Sequence, residues 1–340
     1  MYRSAVLGCG PRSYKHAAAY RGLDEMQLVV ACDMDRDRLD KFGDEFGVDE
    51  RYEDLETMLK AEQPDVLHII TPPMIREQPM ELAASYGVRG ILAEKPIALT
   101  PSQANKIDDI AARSGMKVAV NTQRPYFSTS QGLKQVLDDK KIGELAFVRC
   151  VTKGNILSMG PHMLDLLMFF LGGAKPDSVW ACARGWNGED YGHPAPQNVL
   201  ARFTYPDGLV VYLEDAEDCI GTPGETDYWQ HFELDFWGSN GHAWWLQNRD
   251  WGYQCEDMEE KFSAPSLWSV DEEPGQREFT RAMAHWLDDD SKVHVNCLEN
   301  SLDQFNQIMG IMVSALTGEK VALPANAEDE VVSQLKKKLR

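Results

Sequence analysis

Over the first 120 residues the hydrophobic positions fall into short, nearly unbroken runs separated by longer amphipathic stretches. This is the pattern of strands buried on both faces of a parallel sheet, with helices between them. Ser4–Gly8, Gln27–Cys32, Asp65–Ile70, Gly90–Ala93 and Lys117–Val120 read as strands. Arg12–Arg21, Asp54–Ala61, Ile75–Tyr86 and Pro101–Ser114 read as helices. Past residue 124 the period changes. Ser128–Asp139 and a segment opening at Pro161 are helical, while Leu145–Thr152, Ser178–Trp186, Val199–Thr204, Leu209–Leu213 and His231–Trp237 alternate as half-buried strands do. Tyr205-Pro206-Asp207-Gly208 supplies a hairpin turn, and Gly238-Ser239-Asn240-Gly241 a second tight connection. Trp244–Leu267 reads as irregular and aromatic, Arg277–Leu287 and Asn300–Leu316 as helices, and Glu328–Arg340 as a solvated terminal helix. The pattern predicts a parallel α/β domain over 1–123. It predicts an α+β domain over 124–340 with a broad, mostly antiparallel, open-faced sheet, whose late helices pack back near the first domain.

Composition sharpens this division. All nine tryptophans lie at or beyond Trp180, which favours a boundary near residues 120–150. A formal net charge of −20 argues against nucleic acid and anionic membrane as partners. The greasiest run, Met163–Leu171, contains Asp165 and is too short to cross a bilayer, and Met1–Leu7 runs straight into a strand. A soluble cytoplasmic protein is expected. The seven cysteines are odd in number, scattered and never spaced C-x-x-C, so they read as reduced core residues, with no metal site expected.

The chemistry gathers where the first domain's strands stop, since ligands bind outside the carboxyl ends of parallel strands. The first strand runs into Gly8-Cys9-Gly10-Pro11-Arg12-Ser13. Gly8 allows a tight turn, Gly10 lets a pyrophosphate approach the backbone, and Pro11 suits a first helical position. Ser13 stands where a third glycine would ease helix–strand packing. The second strand ends at Asp33, placed to accept a ribose hydroxyl and repel a 2′-phosphate, so NAD is favoured. Arg36 and Arg38 nearby keep NADP open. Further strands end at Thr71-Pro72-Pro73, at Glu94-Lys95-Pro96, and at Asn121 with Gln123 close behind. A lysine at a strand end can orient substrate or move a proton, and the proline after it restricts its backbone. In the second domain His162 and Asp165 lie three apart at the head of an apolar helix and so share a face.

The glycine turn, the acidic end of the second strand, Thr71-Pro72-Pro73, Glu94-Lys95-Pro96 and Gly160-x-His162-x-x-Asp165 together resemble the Gfo/Idh/MocA family of NAD(P)-dependent oxidoreductases, over nearly the whole chain. The resemblance implies a doubly wound Rossmann domain, a mostly antiparallel second domain, and substrate in the cleft between. It implies that Lys95 and His162 flank the reacting carbon, with a Lys95–Pro96 bond that is commonly cis. It also implies a homodimer or homotetramer through the C-terminal sheet, which the tryptophans suit. Two positions depart from it: Ser158 stands where many members carry an aspartate four residues before the histidine, and Arg76 where many carry a histidine.

The expectation is a hydride transfer between nicotinamide and a carbinol carbon of a sugar, cyclitol or related polyol. His162 would serve as base and Lys95 would steady the developing alkoxide. Gly8, Gly10, Pro11, Arg12, Asp33, Thr71, Pro72, Glu94, Lys95, Asn121 and Gln123 are the cofactor candidates; Arg124, Tyr126, Ser158 and Asp165 are the substrate candidates. Two alternatives share the fold: an NAD-retaining glycosidase or lyase working by transient oxidation, and a non-catalytic regulator responsive to NAD or sugar.

Overall fold

A computed structural model of the chain describes residues 1–186, 189–190, 193–219 and 221–340, with side chains left aside at 189 and 190. The chain folds into two units, Met1–Tyr126 with Glu273–Leu302, and Phe127–Glu272 with Asp303–Arg340. The sequence boundary at 123 falls just short of this division. Tyr126 stays with the first unit because its ring packs edge-on against Phe279 and His294, at 6.1 and 5.6 Å between centroids.

In chain order the first unit holds β1 (Tyr2–Leu7), α1 (Ser13–Ala18), β2 (Met26–Cys32), α2 (Arg36–Phe46), β3 (Glu50–Tyr52), α3 (Leu55–Glu62), β4 (Val66–Ile69), α4 (Glu77–Ser85), β5 (Gly90–Ala93), α5 (Pro101–Ser114) and β6 (Lys117–Val120). The strands form a parallel sheet ordered β3-β2-β1-β4-β5-β6, the doubly wound Rossmann arrangement that the resemblance implies. Helix starts follow local chemistry. Asp35, Asp54 and Thr100 each accept a backbone N–H from the first turn of α2, α3 and α5, and Gly47 and Gly115 close α2 and α5 in the left-handed conformation. One apolar cluster joins Val6 and Ala31 to Ala17, Leu39 and Phe42. Another sets Met26, Val66, Leu92 and Ala119 beneath Phe279, Met283, Ala284 and Leu287. These last four side chains belong to a helix that the sequence pattern placed only over Arg277–Leu287. α2 and β3 do not stand among the sequence expectations, although Asp35 and Gly47 bracket α2 as cap signals.

The second unit begins with α6 (Ser128–Asp138), β7 (Leu145–Thr152), α7 (Gly160–Phe170), β8 (Ser178–Arg184), the short pair β9 (Glu189–Asp190) and β10 (His193–Pro194), β11 (Asn198–Thr204) and β12 (Val210–Ala216). It continues through β13 (Phe232–Gly238), β14 (Gly241–Leu246), β15 (Arg249–Cys255) and β16 (Phe262–Ser266). α8 (Trp268–Asp288) and α9 (Leu298–Thr317) each contribute residues to both units, and β17 (Val321–Ala322) and α10 (Val331–Leu339) close the chain. Nine described strands pair in the order β16-β15-β14-β13-β7-β12-β11-β8-β17, antiparallel except for β12 beside β7. The stretch 244–267, expected to be irregular, instead extends this sheet through β14, β15 and β16. Inward residues of neighbouring strands, such as Cys150, Leu213, Leu234 and Trp245, are buried, and Trp245 donates its indole N–H to Thr129 of α6 at 3.1 Å. Cys182 is exposed, because it points outward from β8, so it is not a core residue as the cysteine pattern suggested.

Candidate functional site

Parallel strands bring their carboxyl ends to one edge, and the first unit's candidate residues line it. Gly8 follows β1 at φ +95°, and its N–H donates to the Cys32 carbonyl at 2.8 Å. A side chain here would be strained, and its Cβ would sit 2.8 Å from the Ile70 carbonyl oxygen, so glycine is required. A Cβ at Gly10 would meet nothing within 4 Å, leaving this backbone approachable. Pro11 and Arg12 belong to the turn itself; α1 starts at Ser13, whose hydroxyl donates to the Gly10 carbonyl at 2.6 Å. The sequence reading of Pro11 as a first helical residue is thus corrected by two positions, because the Ser13 bond keeps the chain in a turn that far.

Asp33 is bound into this turn. One carboxylate oxygen accepts the Cys9 N–H at 2.6 Å and the other accepts the Asp35 N–H at 2.9 Å. The nearby arginines are held by local acids: Arg36 lies 2.9 Å from Asp40 and 3.6 Å from Glu53, and Arg38 lies 3.2 Å from Asp35.

Thr71 and Pro72 follow β4. Arg76, wholly buried, donates to the carbonyls of Ile69 at 2.9 Å and Thr71 at 3.2 Å and so fixes the turn. Burial lowers the Arg76 pKa to about 10, with the Glu94 charge pulling the other way. Gln103 of α5 donates to the Pro73 carbonyl at 2.7 Å and accepts the Leu99 N–H at 2.8 Å, tying this turn to the segment after Lys95 and Pro96. The Lys95–Pro96 bond is cis.

Glu94 is the junction of this edge. A single carboxylate oxygen accepts from Arg12 Nε at 2.9 Å and Asn121 Nδ2 at 2.7 Å, and lies 2.9 Å from His16 Nε2. Burial alone would raise its pKa, but Arg12 and the hydrogen bonds from His16 and Asn121 hold it well below the usual carboxylate range. Asn121 in turn accepts from Gln276 Nε2 at 3.1 Å. Gln123 and Arg124 are buried, and Tyr126 places its hydroxyl 3.4 Å from His294 Nδ1.

This edge fits a dinucleotide. Its glycine turn accepts no side chain at Gly8 and is open at Gly10. Thr71 Oγ1 and Gln123 Oε1 are buried polar atoms without a hydrogen-bond partner among the described residues, and polar groups of a bound ligand would satisfy them.

In the second unit the loop before α7 is set by Asn155, whose side-chain oxygen accepts the N–H groups of Leu157 at 3.1 Å and Ser158 at 2.9 Å. Ser158 is buried, as are His162 and Asp165 on α7. The His162 ring meets Phe232 nearly perpendicular, 6.5 Å between centroids. Asp165 accepts from Gln304 Nε2 at 3.0 Å, which answers how a carboxylate is tolerated in this apolar helix. Gly160 opens the helix where a Cβ would stand 2.8 Å from Ile156 Cδ1 and 3.4 Å from Asp215 Oδ2.

Sequence reasoning missed His16, His68, Tyr20, Arg76's carbonyl clamp and Asp215. The signals for two were present: His68 interrupts the apolar run Val66–Ile69, and Asp215 continues the inward alternation of Val211 and Leu213. Among the described residues, no group of three or more His, Cys, Asp or Glu is arranged to hold a metal ion, and no helix is long and apolar enough to cross a membrane.

Residues 2–122 match a family described as "Oxidoreductase family, NAD-binding Rossmann fold". Over 188 residues the chain is 31% identical to a D-apiose dehydrogenase of Paraburkholderia graminis, covering 50% of each protein. It is 27% identical to the D-glucoside 3-dehydrogenase of Escherichia coli, covering 52% of this chain and 56% of that one. The chain thus spans about half the length of these curated relatives. An oxidoreductase from Agrobacterium radiobacter, solved with NAD+, L-tartaric acid and magnesium, shares the fold at a TM-score of 0.83 and 19% identity, over 94% of this chain and 98% of that one. An inositol dehydrogenase homologue from Azotobacter vinelandii, solved with NADH and myo-inositol, does so at 0.80 and 16%, over 94% and 97%.

Proposed function

We propose, for a chain whose residues 2–122 match the Gfo/Idh/MocA family, an NAD-dependent oxidation or reduction at a carbinol carbon of a sugar, cyclitol or related polyol. The observation that carries this reading is the Glu94 junction, which binds the glycine turn through Arg12 and the end of β6 through Asn121, next in sequence to Lys95. The relatives named for apiose and glucoside, and the neighbour solved with myo-inositol, support the substrate class.

NAD, when bound, supplies the hydride acceptor. His162 takes the hydroxyl proton, a task suited to an imidazole near neutral pH. The Lys95 ammonium donates to the same oxygen and favours its developing negative charge. Gly8, Gly10, Pro11 and Arg12 serve the phosphates, Asp33 the ribose, and Thr71, Pro72, Asn121 and Gln123 the remaining half of the cofactor. Arg124, Tyr126 and Ser158 are assigned to substrate. Asp165, already accepting from Gln304, steadies α7. NAD is preferred over NADP because Asp33 ends β2 and the charges of Arg36 and Arg38 are already paired with neighbouring acids. A second copy of the chain is the partner proposed for the outer face of the nine-stranded sheet. The seven free cysteines suit the reducing cytoplasm.

The test is NADH formation across sugars, cyclitols and sugar acids, with NAD and NADP in parallel, for the natural chain and Lys95→Ala. The variant should lose at least about 100-fold in turnover, as expected for an electrostatic donor to the reacting oxygen, with NAD affinity nearly unchanged. Retained turnover would reject the role of Lys95. Sugar release from a glycoside without NADH accumulation would point to the redox-neutral alternative.

A further inference from the structure

We propose that Tyr20, His68 and His16 form a directional hydrogen-bond relay that fixes the aim and charge of Glu94, making both histidines positioning residues for the NAD site. The inference rests on the cofactor reading above and deepens it. Tyr20 Oη lies 2.7 Å from His68 Nε2, His68 Nδ1 lies 2.9 Å from His16 Nδ1, and His16 Nε2 lies 2.9 Å from Glu94 Oε1. The two rings meet edge to face, 5.1 Å apart at 86°, and neither histidine has any exposed surface.

Every proton in this relay is assigned by elimination. An ionised carboxylate only accepts, so His16 carries its proton on Nε2 and donates to Glu94. Arg12 already balances that carboxylate at 2.9 Å, and a second buried cation would stand uncompensated. Burial lowers the pKa of both imidazoles, less for His16 because the Glu94 carboxylate beside it favours a proton. His16 is therefore neutral and its Nδ1 accepts. The proton between the facing Nδ1 atoms must then belong to His68, whose Nε2 is left to accept, and the Tyr20 hydroxyl must donate. Asn121 Nδ2 also lies 3.0 Å from His16 Nε2. Both atoms carry protons in this arrangement, so the amide serves Glu94 instead. The Gln276 bond to Asn121 Oδ1 holds the amide in that orientation.

The consequence reaches the glycine turn. Without a donor from His68, His16 Nδ1 is left a buried acceptor with no partner in the relay, and the ring that donates to Glu94 loses the bond that fixes its plane. The charge-assisted hydrogen bond to Glu94 is then no longer held in one geometry, and the carboxylate loses its fixed aim toward Arg12.

Selective 15N labelling of histidine in the full chain without cofactor reads the relay directly. His16 should show the Nε2–H tautomer and His68 the Nδ1–H tautomer, with neither gaining a proton across the neutral range. His68→Phe should leave His16 in the Nε2–H tautomer and shift its Nδ1 signal, which loses its hydrogen-bond donor. It should also weaken NADH binding, followed by fluorescence titration, about tenfold, the scale of one lost hydrogen bond to a charged group. His68→Gln, whose amide can donate to His16, should restore most of both. Should His68→Phe fail to fold, Tyr20→Phe replaces it and should shift the His68 Nε2 signal, which loses its donor, with the Nδ1–H tautomer kept. An imidazolium at either position, the opposite tautomers, or a His68→Phe protein with natural His16 signals would overturn the relay. If the natural chain binds no NADH, the cofactor reading fails, and the tautomer spectra still decide the relay.

Discussion

Asp215 is the residue whose placement most opposes its chemistry. It occupies an inward position of β12 after Val211 and Leu213, is wholly buried, and neither carboxyl oxygen has a partner among the described residues. Burial raises its pKa well above the usual carboxylate range. A folded value above the unfolded one means that the neutral acid is tolerated at low pH, and that stability is lost as pH rises past the unfolded value toward the folded one. Asp215→Asn, which cannot ionise, should therefore stabilise the protein by about 1–3 kcal/mol at neutral pH and by much less near pH 4. Urea unfolding of both proteins at the two pH values measures this, and a gain independent of pH would count against it. Residue-scale chemistry was only partly legible in the chain. Glu94 and Lys95 were visible because strand ends are visible. Their setting was not, since His16, His68 and Asn121 each stand alone in sequence and only the sheet order brings them together.

At the scale of elements, the outer face of the nine-stranded sheet is the clearest unfinished surface. Trp180, Leu200, Tyr212 and Trp237 point outward from β8, β11, β12 and β13 and are 45%, 53%, 45% and 48% exposed. Arg149 lies 3.4 Å from Glu214, and Arg249 lies 3.1 Å from Glu233 on the same face, so both signs of charge are interleaved with the apolar groups. Such a surface is complementary to itself, as a two-fold interface requires. If the proposed dimer forms through this face, Leu200→Lys should shift it to monomer in sedimentation, since an unpaired charge would enter a contact of about 800 Å² per partner, with little effect on the fold of each copy. A natural chain that sediments as a monomer would refute this. The sheet's own extent escaped the sequence for a physical reason. β14 has aromatic residues on both faces, Trp244 outward and Trp245 inward, which hides the period of two. Its turn into β15 rests on Asn248 at φ 58° rather than on a glycine. The hairpin through Pro206-Asp207-Gly208 carried ordinary turn chemistry and was readable.

For the whole molecule, acid sensitivity should be set by buried imidazoles. His294 places Nε2 2.9 Å from the Phe279 carbonyl, while its Nδ1 accepts the Asn296 N–H at 3.0 Å, leaving no place for a second proton. Burial lowers its pKa to about 4, only partly offset by the Phe279 bond, and burial lowers His16 and His68 as well. Folded values below unfolded ones give stability that is complete above about pH 6.5 and declines as pH falls toward the folded values. Melting temperature should drop between pH 7 and pH 5, and His294→Gln should flatten that drop by removing up to about 2 kcal/mol of pH dependence over that range. An unchanged slope in thermal scans would show that His294 is not a determinant. The same molecule also carries its history in the order of its chain. Phe279, Met283 and Leu287 complete the apolar cluster of the first unit, yet roughly 150 residues separate Tyr126 from Glu273. At about 5–20 residues per second, synthesis of that interval takes on the order of ten to thirty seconds. Until the chain beyond Glu273 is made, Val66 and Leu92 lack the Phe279, Met283 and Leu287 side chains that complete their cluster in the folded protein.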